Sequence, residues 1–156
     1  MVQRRHEVFK HILVPLDGSE YAERAIEPAR SLAEKYGARI TLFTVMLRFP
    51  ASKLHVPVLD HKSEERGRQY LEEICTTKMG ETSVPVDTTV QLGTPAESIA
   101  EFALSSQADL IVMSTHGTAS SAKTRFTLGS TAWKVLHDAP CPVLLIPVHR
   151  HDTTDS

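Results

Sequence analysis

The hydrophobic pattern changes period several times along the chain. Within Phe9–Leu16, the residues His11-Ile12-Leu13-Val14-Pro15-Leu16 form a short, nearly continuous apolar run, ended by Asp17-Gly18-Ser19. A run of this kind bounded by turn residues predicts a strand buried on both faces. Ala22, Ala25, Ile26, Ala29, Leu32, Ala33 and Tyr36 then recur at three- and four-residue steps, the stripe of an amphipathic helix, with Gly37 as its stop. Pro28 falls inside that stripe and, lacking an N–H, is expected to kink or locally open the helix. Ile40–Met46 predicts a second strand. Leu47–His61, with Pro50 and Pro57 and no clear period, reads as a long loop. Lys62–Met79 predicts a helix with Tyr70, Leu71, Ile74 and Cys75 as its apolar stripe and Gly80 at its end. Val84–Leu92 reads as a third strand, followed by a turn at Gly93. Thr94-Pro95-Ala96-Glu97 has the form of a helix start, with Thr at the cap, Pro at the first position and Glu three after the cap. Ile99, Phe102 and Ala103 supply that helix's buried face. Asp109–Met113 predicts a fourth strand and Ser114–Thr127 a polar loop. A helix follows at Leu128–His137, then a break at Pro140-Cys141-Pro142 and a fifth strand at Val143–Val148.

Strands and helices therefore alternate, five strands with four helices between them. That order predicts an α/β fold: a parallel sheet joined by right-handed crossovers and covered by helices on both faces. There is no internal repeat and no domain-sized linker. A single domain over residues 1–156 is expected, with its core at about 9–148 and a polar tail at 149–156. Aromatic residues make up only 6%, so the core must be built from aliphatic side chains and alanine.

Seventeen basic residues against nineteen acidic ones give a formal charge of -2, which excludes a strongly basic footprint and argues against a nucleic-acid partner. No apolar run approaches the roughly 18 residues of a membrane span. The Arg4-Arg5 pair near the start is followed by no apolar stretch of signal-peptide length, so a cytoplasmic location and no membrane partner are expected. Cys75 and Cys141 form no metal-ligand cluster and read as small buried hydrophobes. The only close-set histidines, His149 and His151, lie in the polar tail. No metal site is expected.

In an open parallel sheet, ligands bind beyond the carboxyl ends of the strands, where strand order reverses. Asp17 is the only carboxylate immediately after a predicted strand. It suits acceptance of hydrogen bonds from ribose hydroxyls, and equally an Asx turn with Gly18 or a cap for the next helix. Gly129-Ser130-Thr131 opens the last helix. Free amides there, with glycine permitting close approach, would suit a phosphate; an ordinary cap beside a solvated loop accounts for the same residues. The loop before it is rich in hydroxyls and carries Lys123 and Arg125. The G-x-x-x-x-G-K-[ST] and G-x-G-x-x-G phosphate fingerprints are absent, as is the G-x-S-x-G nucleophile elbow. A phosphotransfer receiver would need further acids and a lysine that these strand ends lack. No nucleophile, base and orienting group come together in the pattern.

The chain resembles the universal stress protein family over roughly Phe9 to Val148. The resemblance rests on His11-Ile12-Leu13-Val14-Pro15-Leu16-Asp17-Gly18-Ser19, Gly93-Thr94-Pro95, Ala108-Asp109-Leu110-Ile111-Val112-Met113, and Gly129-Ser130-Thr131-Ala132 through Ala139-Pro140-Cys141-Pro142-Val143-Leu144. It implies a five-stranded parallel sheet in the order 3-2-1-4-5, Rossmann-like, usually in a dimer. One branch of the family binds ATP or AMP and another does not. Binders are similar in a motif G-x2-G-x9-G-[ST] after the fourth strand. Here Ser114 stands at the first glycine, Gly117 fits the second and Gly129-Ser130 fit the last pair, with eleven residues rather than nine between Gly117 and Gly129. By resemblance Pro15 and Asp17 would contact adenosine and Val45 the adenine. Ser114, Gly117, Gly129, Ser130 and Thr131 would hold ribose and phosphates.

The function this implies is a stress-response protein that binds ATP, with Mg2+ as its companion, or AMP, and acts as a sensor or regulator. No catalytic residue is assigned, and slow ATP hydrolysis would rest on family analogy alone. The alternative is a dimeric interaction protein without nucleotide, its altered glycine loop serving a partner. The apolar fifth strand, placed at a sheet edge, is expected to pair with a second copy of itself.

Overall fold

The computed structural model describes residues 8–47, 57–117 and 128–148. In chain order the elements are β1 (His11–Leu16), α1 (Glu20–Glu23), α2 (Ile26–Tyr36), β2 (Arg39–Met46), α3 (Pro57–Lys78), β3 (Val86–Leu92), α4 (Pro95–Ser105), β4 (Leu110–Ser114), α5 (Ser130–Asp138) and β5 (Val143–Ile146). The strands form one sheet in the order β3-β2-β1-β4-β5, and every neighbouring pair runs parallel. This is the α/β architecture the alternation predicts, in the order the family resemblance implies.

All six residues of β1 are buried, as expected of a central strand covered on both faces. Its side chains alternate between two cores. Ile12, Val14 and Leu16 pack with Ala29 and Ala33 of α2 and Leu71 and Ile74 of α3. Leu13 faces the other way, with Phe43, Ile111, Ile99 and Ala103 of α4 and Val135 of α5. One stacked aromatic pair, Phe43 and Phe102 with centroids 4.7 Å apart, joins α4 to β2. The rest of both cores is largely aliphatic and alanine, in keeping with the low aromatic content.

Pro28 opens the predicted first helix, and the opening lies four residues upstream of it. The chain leaves α1 at Arg24–Ala25 through the shorter bonds Arg24 N–H to Tyr21 O and Ala25 N–H to Ala22 O. A proline removes the bond to the carbonyl four residues back and its ring collides with that carbonyl. Here that carbonyl belongs to Arg24. Pro28 then sits in the first turn of α2, where its missing N–H costs nothing. Gly37 ends α2 in the left-handed conformation.

The reading of Leu47–His61 as a loop is corrected at its end, because α3 begins at Pro57. Proline signals a loop by composition, yet its φ is also that of a first helical residue. Residues 48–56 lie outside the described residues. β3 begins at Val86 rather than Val84, α5 at Ser130 rather than Leu128, and β5 ends at Ile146 rather than Val148. Thr94 takes the cap position of α4 with Pro95 first, but its side chain makes no capping bond. Both cysteines are free and half-buried, and burial pushes both thiols above their ordinary pKa, as inert packing residues require.

Candidate functional site

The strand order reverses between β1 and β4, and the crevice beyond their carboxyl ends is where such a sheet takes ligands. β1 delivers Pro15, buried and in register with Phe43 of β2, and then the exposed turn Asp17-Gly18-Ser19. Gly18 has a φ of 83°, the left-handed conformation that lets the chain swing from strand into helix. Asp17 Oδ1 accepts from the Ser19 amide at 3.0 Å and from Ser19 Oγ at 2.5 Å. Ser19 Oγ in turn accepts from the Ala22 amide at 3.1 Å and caps α1. The Asx turn is therefore present. The turn engages Oδ1, and Oδ2 stands where a Cβ on Gly117 would fall.

β2 brings Val45 to the same end of the sheet. Thr44 Oγ1 donates to Leu16 O at 2.8 Å, tying the ends of β2 and β1 together one residue before Val45 and Asp17. Val45 is half-buried, packed on the core that contains Phe43.

Ser114 is the buried last residue of β4, paired with Ile146, and its hydroxyl donates to His116 O. The hydroxyl is thus spent on shaping the exit from the strand. Thr115, which sequence reasoning did not single out as a site residue, is the junction of this end. Its amide donates to Ile146 O at 3.0 Å, its carbonyl accepts from the Gly129 amide at 2.8 Å, and its hydroxyl contacts His116 Nδ1 at 2.9 Å and accepts from the Val148 amide at 3.4 Å. A polar residue just past a buried strand was the only local signal for it.

The bond from Gly129 to Thr115 places the start of α5 beside β4. Gly129 occupies the cap position at φ −59° and ψ 154°, a conformation open to any residue, and supplies no side-chain cap. Its own amide is already used. The first-turn amides of a helix have no intrahelical partners, so with the Gly129 amide used the donors this end offers an anion are those of Ser130, Thr131 and Ala132. No acidic residue stands in the first turn of α5, whereas Glu20, Glu27 and Glu97 occupy that turn in α1, α2 and α4. Asp17, Gly117 and Gly129 are thus linked through the short segment from Thr115 to Gly117. Thr118, Ser120, Ser121, Lys123, Thr124, Arg125 and Thr127 of the intervening loop lie outside the described residues.

An open cleft of about 380 Å³ lies to one side, lined by Leu47, Gln91, Leu92, Gly93, Thr94, Glu97, Ser98 and Glu101. It sits at the ends of β2 and β3 beside α4, and none of the eight predicted site residues lines it. The β1/β4 crevice is the better candidate, because the ends of β1, β2 and β4 and the start of α5, which carry those residues, lie on that side of the sheet. Among the described residues no group of three or more His, Cys, Asp or Glu could hold a metal ion.

Comparison with known proteins agrees with this architecture. The model of the universal stress protein family matches residues 9–147. A universal stress protein of Thermus aquaticus is 37% identical over 140 residues, covering 89% of this chain and 99% of the relative. Among solved structures, UspA of Lactobacillus plantarum superposes with a TM-score of 0.74 at 28% identity, covering 88% of this chain and 97% of that one. Two more distant structures share the fold. A universal stress protein in complex with cAMP has a TM-score of 0.70 at 21% identity, with 89% and 97% of the chains covered. A family protein of Arabidopsis thaliana with AMP bound has a TM-score of 0.66 at 18% identity, with 94% and 97% covered. A family model running from before β1 to after β5, and a bacterial relative matched over nearly its whole length, leave one conclusion: the chain belongs to the universal stress protein family.

Proposed function

We propose that this protein binds an adenine nucleotide, ATP or AMP, in the crevice between β1 and β4, and acts as a sensor or regulator in the cytoplasm. The observation that carries the reading is the Asp17 carboxylate laid against Gly117 at the point where strand order reverses. In this reading the Asp17 carboxylate accepts from the ribose hydroxyls. Val45 covers the adenine above Pro15. Ser114 and Gly117 shape the floor, and Gly129 with the amides and hydroxyls of Ser130 and Thr131 receives the phosphates. Mg2+, where ATP is bound, would be held through the phosphates. The cAMP and AMP complexes of the two distant relatives favour an adenine ligand for the fold. The two residues by which the Gly117–Gly129 loop exceeds the binders' motif add little entropic cost if they project outward.

A first test is mass spectrometry of nucleotide released on denaturing protein purified without added ligand. Calorimetric titration with ATP and AMP then tests the site. Asp17→Ala is expected to weaken both nucleotides alike, by roughly tenfold to a hundredfold, since a charge-assisted hydrogen bond contributes about 1.5–3 kcal/mol. Gly117→Ala, whose Cβ would displace the carboxylate, should weaken both as well, and should add no further loss in the Asp17→Ala background. Unchanged affinities in correctly folded variants would sink the site.

We also propose that the protein is a C2 dimer paired through β5. This strand is the sheet edge beyond β4, and Leu144 on it is 38% exposed. An apolar edge of this kind invites pairing with a second chain. The interaction protein without nucleotide is the second reading. It is favoured by Ser114, which fills the first glycine position of the motif and commits its hydroxyl to His116 O.

A further inference from the structure

α1 is only four residues long, bounded by the Ser19 cap on one side and by the break before Pro28 on the other. A helix of one turn has almost no stability of its own, so its position, and that of the Asp17 turn in front of it, must be set by tertiary contacts. One set of contacts comes from α3. Tyr70 OH donates to Glu23 Oε1 at 3.1 Å, and Lys78 Nζ pairs with Glu23 Oε2 at 2.6 Å. Glu23, the last residue of α1, is largely buried there, its side chain 13% exposed. The Tyr70 ring packs against the core beside Leu71 and Ile74, so its hydroxyl is held on a rigid base.

We propose that Tyr70 is a positioning residue of the candidate nucleotide site: with Glu23 and Lys78 it clamps α1 and the Asp17-Gly18-Ser19 turn onto α3, fixing the Asp17 carboxylate against Gly117. The clamp rests on the functional reading above only for its consequence, nucleotide affinity; the contacts themselves do not depend on it. The Gly18 amide and the Asp17 charge also bear on the Tyr70 phenol, in opposite directions and less strongly than burial and Glu23. Burial foremost, and then the neighbouring Glu23 carboxylate, hold the phenol far above its ordinary pKa, so it remains a donor at every working pH. Each side of the Glu23 carboxylate is met by one donor from α3, and those donors lie two helical turns apart, at positions 70 and 78.

The test is Tyr70→Phe in the full chain, a change that keeps the ring and removes the donor. Amide hydrogen exchange without nucleotide reads the clamp directly. The Gly18, Ser19 and Ala22 amides should exchange about tenfold faster, while the amides of β1, β2 and β4 keep their rates. Glu23→Gln should loosen the same amides. In titrations of Tyr70→Phe, ATP and AMP affinities should fall by the same factor, about threefold to tenfold. Unchanged exchange at Gly18, Ser19 and Ala22 overturns the proposal. So does an increase spread evenly over the sheet, which would mark Tyr70 as a packing residue only, or a loosened turn with undiminished affinity. A wild type that binds neither nucleotide overturns the functional reading instead, and the exchange rates alone then decide the clamp.

Discussion

Asp17 shows how one side chain serves structure and candidate chemistry together. Oδ1 organises the turn through Ser19 while Oδ2 faces Gly117, a residue 100 positions further along the chain. The requirement for glycine at 117 is set by that carboxylate, because Gly117 is not among the glycines with positive φ. At the opposite end of the sheet, His11 is buried in β1. Its Nδ1 lies 3.2 Å from Ser106 O and its Nε2 2.8 Å from Thr41 Oγ1. A carbonyl can only accept, so the neutral ring carries its proton on Nδ1 and accepts from Thr41 through Nε2. Burial, and then the charge of Arg39, lower its pKa below the ordinary value of 6.5, against the opposing pull of the Ser106 carbonyl, Asp109 and Asp87. The unfolded chain therefore takes up a proton before the folded one does. The stability is complete above pH 6.5 and is lost as pH falls from there through the folded value. Urea unfolding between pH 7.5 and 5 should show this loss in the wild type and a shallower one in His11→Gln; equal slopes would refute it.

At the scale of elements, Pro28 and Pro57 make the contrast. Pro28 breaks a helix because an Arg24 carbonyl stands four residues before it. Pro57 begins one, because a first helical residue has no intrahelical N–H bond to lose. The same residue type has opposite effects depending on its place in the turn, which is why hydrophobic period resolved the first and missed the second. Gly67 in α3 is a third case. A Cβ there would stand 2.7 Å from Val90 Cγ1 and 3.2 Å from Met46 Cγ, so this glycine is what lets α3 lie close on β2 and β3. Alanine would gain about 1 kcal/mol of helix propensity. It would lose more, since Val90 is stiff at χ1 and overpacking costs typically about 1–3 kcal/mol. Gly67→Ala is therefore expected to lower the thermal midpoint by a few degrees; a raised midpoint would show that the sheet yields.

For the whole molecule, the parallel sheet leaves two edges, and β3 and β5 occupy them. Leu144 is exposed on β5, and Trp133 and Leu136 are exposed on α5, whose buried Ala132 and Val135 share a core with Val143 and Leu145. Ile146 packs partly into the opposite core, so substituting it would disturb the fold as well as any pairing. Leu144→Lys is the cleaner probe. Light scattering at micromolar concentration should give a dimer for the wild type and a monomer for Leu144→Lys, with unchanged circular dichroism. A monomeric wild type would remove the β5 pairing.

The strands, the helix stripes and the α/β class were legible in the chain because side-chain period is a local property, repeated every two or three to four residues. The strand order was legible only through resemblance to a family, since nothing local says which strands become neighbours. The site divides in the same way. Asp17 and Gly129 stood out as a carboxylate after a strand and a glycine before a helix, both local signs. What only the tertiary structure decided is that Asp17 meets Gly117, that Thr115 ties β5 and Gly129 to the end of β4, and that Tyr70 reaches Glu23 from another helix. Each of these is a contact between residues remote in sequence, made when the two cores close on the sheet, and no hydrophobic period records which polar atoms that closure brings within bonding distance.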